Sequence, residues 1–134
     1  MAAFCSWNLL PSLSEAFRDL STHRMTQFSS LEPSDFELKS LMQQNAVLVL
    51  DVRNADEFKS GHIPGAVNLN YTRVTADGGR FKGESRAIVA YCACANEMTA
   101  ARAAVDLAAL GIPGAKALQG GWDEWLARGE KVEK

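Results

Sequence analysis

The chain has 134 residues, 47% of them hydrophobic and 22% charged, with 14 basic against 16 acidic side chains and a net charge of −2. That length suits one domain built on a single core, and the composition is ordinary for a globular protein. The near-neutral balance gives no reason to expect nucleic acid or an anionic membrane as partner, and no apolar run approaches the roughly 20 residues that span a bilayer.

The N-terminal stretch differs from the rest. Leu10, Leu13, Phe17 and Leu20 recur at helical spacing, with Ser12 or Ser14 placed to cap. Residues 1–24 are therefore read as an added amphipathic helix, and residues 25–134 as the domain proper. An apolar helix face of this kind fits either the domain's own surface or a partner, including a second copy of the chain. The stretch lacks a basic leader and carries Glu15 and Asp19, which argues against a signal or import sequence. The three cysteines, Cys5, Cys92 and Cys94, are odd in number, and two lie two positions apart. That is no disulfide framework, and it points to a reducing, cytoplasmic setting.

Met25–Phe28 reads as a short strand. Pro33-Ser34-Asp35 opens a helix running to Gln43, with Ser34 as its cap and Phe36, Leu38, Leu41 and Met42 as its apolar residues. Val47–Asp51 is a continuous apolar run ending in a carboxylate, the pattern of a central parallel strand covered on both faces. Asn54 can cap a short helix, ADEFKS, stopped by Gly61, and a strand around Ala66–Asn68 follows the Ile63-Pro64-Gly65 turn. Residues 70–86 are polar and glycine-containing, and read as a long connection. Ala87–Tyr91 is a second apolar strand and Ala100–Leu110 a helix. A short strand around Ala115–Leu118 and a helix Trp122–Arg128 close the chain. Strands alternating with helices predict an α/β fold with a mainly parallel sheet, whose ligands sit beyond the carboxyl ends of the strands.

The loop that joins strand 87–91 to helix 100–110 lies at such an end, and it carries Cys92 and Cys94. The positive end of the helix macrodipole favours a thiolate, which is the attacking form of cysteine. A thiol enzyme is the function this arrangement suggests.

Over residues 25–128 the chain resembles the rhodanese-like sulfurtransferase family. The resemblance rests on DVRNADEFKSGHIPGAVN (Asp51–Asn68), on the strand–Cys–loop–helix of 87–110, and on LQGGWDEW (Leu118–Trp125). It implies an α/β domain with a small, mainly parallel five-stranded sheet between helices. It also implies that the nucleophile opens a six-residue loop, here Cys94-Ala95-Asn96-Glu97-Met98-Thr99, whose backbone amides cradle substrate. Taking Cys92 instead would require a two-residue insertion before the helix, and Cys92 is then an inert buried thiol. Asp51 and Arg53 are expected to orient neighbouring loops through a salt bridge. His62 is expected to hold a turn, Gly120 and Gly121 to allow close backbone approach, and Trp122 and Trp125 to fill core near the site. The implied chemistry is transfer of a sulfane sulfur from thiosulfate or a persulfide to cyanide or a thiol through a Cys94 persulfide, with no metal or organic cofactor.

One departure bears on substrate. Many relatives carry a basic residue in the loop, whereas this one offers Glu97 and no Arg or Lys. An acid there should raise the thiol pKa and repel thiosulfate, a dianion. Arg102 on the helix, or Arg53, Arg73, Arg80 or Arg86, could supply the charge instead. Otherwise a persulfide or polysulfide is the expected donor. Other classes fit less well. Phosphatases of this fold need an arginine six positions after the cysteine, and those positions hold Ala100 and Met98. A Cys92–Cys94 disulfide is strained, and zinc lacks a ligand set, with His23 and His62 distant from each other. The strongest alternative is a non-catalytic rhodanese-like module that binds or regulates a partner.

Overall fold

The computed structural model describes residues 32–93 and 98–134. In chain order these form α1 (Asp35–Gln43), β1 (Val47–Asp51), α2 (Ala55–Ser60), β2 (Val67–Asn68), α3 (Val74–Asp77) between two 3-10 turns, β3 (Ala87–Tyr91), α4 (Met98–Ala109), β4 (Lys116–Ala117) and α5 (Gly121–Ala127). The strands are all parallel, in the order β2-β1-β3-β4. The strand expected at Met25–Phe28 and the amphipathic helix expected over 1–24 lie outside the described residues.

The sheet is central because its two longest strands are apolar on both faces. Side chains alternate across a strand. Leu48, Leu50, Ile88 and Ala90 therefore face one side, where they meet Ala100, Ala103 and Leu107 of α4. Val47, Val49, Ala87, Val89 and Tyr91 face the other, against Leu38 and Leu41 of α1, Leu118 and Trp125. Leu50 and Val89 are completely buried, and each such side chain contributes about 1.5–3 kcal/mol. One helix layer covers each face, which is why neither strand shows a polar alternation.

Local signals fix the helix starts. Ser34 Oγ accepts the Glu37 N–H at 3.2 Å while Glu37 Oε1 accepts the Ser34 N–H at 3.0 Å, a reciprocal capping box. Asn54 Oδ1 accepts the Glu57 N–H at 2.8 Å and so starts α2.

Two elements differ from expectation. Residues 70–86 are not a bare connection: they contain the 3-10 turns Tyr71–Arg73 and Gly78–Phe81 with α3 between them. Only Val74 and Gly78 are buried on these three elements, too few to show a period. Gly78 packs closely there: a Cβ would stand 2.9 Å from Leu107 Cδ2 and 3.1 Å from Leu110 Cδ1, so those leucine side chains would have to shift. Helix α4 opens at Met98, two residues before the expected Ala100. Met98 is exposed, so no apolar position marked that first turn.

Candidate functional site

Strand order places the site. From β1 the chain passes to β2 on one side and then returns to β3 on the other. The carboxyl ends of β1 and β3 thus diverge at a topological switch point, where open α/β sheets bind ligands. A cavity of about 380 Å³ opens there, lined by Val52, Arg53 and Asn54 after β1, by Cys92 and Ala93 after β3, by Asn70, Tyr71 and Thr72 after β2, and by Glu57 and Thr99.

The exit of β1 is held by a buried polar network. Arg53 Nη2 donates to Asp51 Oδ2 at 2.7 Å and to the Gly61 carbonyl at 2.6 Å, and Arg53 Nε donates to Asp51 Oδ1 at 3.0 Å. The Tyr91 hydroxyl donates to Asp51 Oδ2 at 2.9 Å and accepts the Ile63 N–H at 3.0 Å. Asn68 Nδ2 donates to the carbonyls of Asp51 and Arg53, both at 2.9 Å. Above the ion pair, the Arg53 guanidinium lies 4.3 Å from the Trp122 ring centroid and 5.6 Å from that of Tyr91. Burial works against the charge on Arg53, but the Asp51 hydrogen bond and charge outweigh it and hold its pKa above the ordinary value. Burial first, and then the Asp51 carboxylate, push the Tyr91 phenol far above its usual range. Both groups therefore keep their protons at neutral pH. Arg53 is thus anchored in the scaffold through Nε and Nη2 and also lines the cavity.

The exit of β3 is anchored in turn. The Cys92 carbonyl accepts the Trp122 N–H at 2.9 Å, and the Ala90 carbonyl accepts the Leu118 N–H at 2.8 Å. Gly120 makes this close turn with φ +80°, and a Cβ on it would fall 2.4 Å from Glu124 Cβ. Cys92 is buried within the core cluster of Leu50, Val52 and Ala100, and it also reaches the cavity wall. On the third side, Asn70 Oδ1 accepts both the Thr72 N–H and the Thr72 hydroxyl at 3.0 Å, forming an Asx turn.

The residues singled out from the sequence separate accordingly. Cys94, Ala95, Asn96 and Glu97 lie outside the described residues. Met98 and Thr99 form the first turn of α4, Met98 exposed and Thr99 half-buried at the cavity wall. Asp51 and Arg53 meet in the buried pair. His62 stands apart from the cavity lining. Its ring stacks on Phe58 at 3.7 Å, its Nδ1 lies 2.8 Å from the Phe58 carbonyl, and its Nε2 lies 3.2 Å from Glu133 Oε1. Paired backbone bonds between His62 and Glu133, both 2.8 Å, tie the C-terminal segment to this turn. Among the other arginines, Arg73 pairs with Asp77, Arg86 with Glu84 and Arg102 with Asp106. Arg80 lies over the Phe81 ring.

Sequence reasoning missed Tyr91 and Asn70; Trp122, expected to fill core near the site, is half-buried and packs against the cluster of Tyr91, Leu118 and Trp125 with its ring over Arg53. Tyr91 gave no signal, because its partners are remote in sequence. Asn70 carried one, an Asx-turn residue two positions before a threonine. Among the described residues no helix is long and apolar enough to cross a membrane, and no group of three or more His, Cys, Asp or Glu is placed to hold a metal ion.

Comparison with known proteins agrees with this architecture. The family model described as Rhodanese-like domain matches residues 35–128. Among curated proteins, the chain is 33% identical over 103 residues to the thiosulfate sulfurtransferase GlpE of Pseudomonas savastanoi pv. phaseolicola, covering 77% of this chain and 92% of that one. It is 29% identical over 111 residues to the 3-mercaptopyruvate sulfurtransferase of Escherichia coli K12, covering 65% of this chain and spanning only 39% of that protein's length. Among solved structures, the human single-domain sulfurtransferase TSTD1 aligns with a TM-score of 0.62 at 25% identity, over 74% of this chain and 97% of that one. The BH2092 protein of Bacillus halodurans aligns at 0.68 and 27%, over 90% of this chain and 85% of that one.

Proposed function

The chain belongs to the rhodanese-like domain family, and from that membership we propose that it is a sulfurtransferase carrying a sulfane sulfur on Cys94 as a persulfide. The observation that supports this reading best is the composition of the cavity wall. Ala93, which immediately precedes Cys94, and Thr99 in the first turn of α4 both line the cavity at the switch point. Relatives named as sulfurtransferases add weight to the chemistry. The absence of a disulfide framework in the sequence supports a reducing, cytoplasmic setting.

The reaction is a two-step covalent transfer. The Cys94 thiolate attacks the outer sulfur of thiosulfate or of a persulfide. A new S–S bond forms at Cys94, the donor's S–S bond breaks, and its electron pair leaves with sulfite or with the donor thiolate. A nucleophile, cyanide or a second thiolate, then attacks the outer sulfur of the Cys94 persulfide. The Cys94–S bond breaks and its electron pair returns to the cysteine as thiolate. The positive end of the α4 macrodipole lowers the cost of that thiolate, and the chain needs no metal or organic cofactor for either step.

Intact-mass spectrometry after incubation with thiosulfate and, separately, with glutathione persulfide tests this. A cyanide-removable gain of ~32 Da, one sulfur held covalently, is expected on the wild type and on Cys92→Ser, and is expected to be lost in Cys94→Ser. Loss in Cys92→Ser alone moves the nucleophile to Cys92. Failure of both donors to load any form replaces the enzyme reading with that of a binding module.

A further inference from the structure

A second cavity, of about 200 Å³, lies among α1, α5 and the turn that leads into α5, in the helix layer on the other face of the sheet from α4. It is lined by Ser34, Asp35, Gln119, Gly120, Glu124 and Arg128, none of which lines the first cavity. Two carboxylates stand there against one guanidinium. Asp35 keeps 2% of its side-chain surface exposed, and neither of its carboxylate oxygens accepts a hydrogen bond. Arg128 Nε is 3.3 Å from Asp35 Oδ2 but nearer, at 3.0 Å, to Glu124 Oε2. The Ser34 hydroxyl is engaged by Glu37 in the capping box, and the Gln119 N–H donates to the Pro33 carbonyl. The lining thus leaves a buried anion without a hydrogen-bond donor, which is costly.

What removes that cost is a cation with N–H groups for both oxygens. A planar guanidinium presents two parallel donors to a carboxylate and sheds water more readily than an ammonium. Among the described residues no third His, Cys, Asp or Glu joins Asp35 and Glu124 to hold a metal ion, so the donor set suits an organic cation. We infer that this cavity binds an alkylguanidinium group, with Asp35 as its bidentate partner and Glu124 as the second anion. The side chain that yields to it is Arg128, which is 57% exposed and turns outward into water. The exchange replaces a screened ion pair with two charge-assisted hydrogen bonds.

The test titrates the full chain with N-methylguanidinium at constant ionic strength and follows the backbone amide NMR signals of Ser34, Asp35 and Gly120. A saturable shift is expected, with affinity at least about tenfold lower in Asp35→Asn, the scale of a hydrogen bond to a charged group. Glu124→Gln, at an exposed position that does not endanger folding, is expected to weaken binding about threefold to fivefold, the scale of one screened ion pair. Arg128→Gln removes the internal competitor and is expected to tighten binding, by up to about fivefold. Tetramethylammonium carries the same charge but no N–H donor, and is expected to give no saturable shift. Agmatine and a blocked tripeptide, acetyl-Gly-Arg-Gly-amide, separate the sources. Tighter agmatine points to a free small guanidine and a tighter peptide to an arginine of a partner protein; either agrees with the inference. No saturable shift, a shift that tetramethylammonium reproduces, an affinity that Asp35→Asn leaves unchanged, or weaker binding in Arg128→Gln overturns it. The sulfurtransferase reading is untouched by those results, since it stands on the mass measurement at Cys94.

Discussion

Tyr91, the last residue of β3, donates its phenolic hydrogen to Asp51 Oδ2, at the end of β1, across 2.9 Å. The same oxygen of Tyr91 accepts the Ile63 N–H at 3.0 Å, so one hydroxyl joins two strand ends and the turn before β2. Because Asp51 in turn grips Arg53, which lines the cavity, a chain of contacts sets the rim. Tyr91→Phe keeps the ring and its packing but leaves the Ile63 N–H buried without its acceptor. The expected loss is about 1–3 kcal/mol of stability, read as a lower midpoint in urea with an unchanged slope. A midpoint equal to that of the wild type would show that water or a shifted backbone replaces the hydroxyl.

Gly120 and Gly65 have the same φ, +80°, but different surroundings. A Cβ on Gly65 meets nothing within 4 Å, whereas one on Gly120 meets Glu124 Cβ at 2.4 Å. An alanine at either position carries the left-handed backbone cost of roughly 1–2 kcal/mol. Only Gly120→Ala adds overpacking against the first turns of α5, worth about 1–3 kcal/mol more. Paired chemical melts of Gly65→Ala and Gly120→Ala separate the two terms. Equal losses would mean that α5 moves aside at no cost, and that the Gly-Gly turn is there for backbone conformation alone.

The sequence was most informative where one signal sufficed. VLVLD and AIVAY are apolar on both faces because helices cover both faces, and the capping residues Ser34 and Asn54 sit where their oxygens meet backbone donors. The cavity was legible as a place, since parallel strands end there, but its lining was not. Asn70 and Thr72 come from a segment whose three short elements bury only Val74 and Gly78 between them, so periodicity had nothing to register. The role of Tyr91 depends on Asp51, forty positions earlier, and on Ile63. No local pattern encodes such a triangle. Trp122 packs against the core near the site, as the family resemblance implies, but its second contact, the ring over the Arg53 guanidinium, has no local signal.

Asp35 gives the fold a pH dependence unrelated to the candidate site. It opens α1 with its side chain buried, and neither carboxylate oxygen has a hydrogen-bond donor. Arg128 Nε stands 3.3 Å away but is shared with Glu124 at 3.0 Å, and Glu130 and Lys39 lie within electrostatic reach. Burial raises the Asp35 pKa above 3.8, only partly offset by Arg128, and the neighbouring Glu124 and Glu130 add to the rise. The folded state therefore holds this proton more tightly than the unfolded chain does. Below the unfolded value both states are protonated and the ionised carboxylate has no cost. As pH rises from that value through the higher folded one, the unfolded state ionises first and stability is lost. Asp35→Asn removes the charge and leaves the shape. Relative to wild type, the variant is expected to be more stable by roughly 1 kcal/mol at neutral pH and equal to it near pH 3, by thermal or urea melts at both. A difference that does not depend on pH, or a variant less stable at neutral pH, would mean that the Arg128 pairing outweighs burial and that the carboxylate is a net support for the α1–α5 contact.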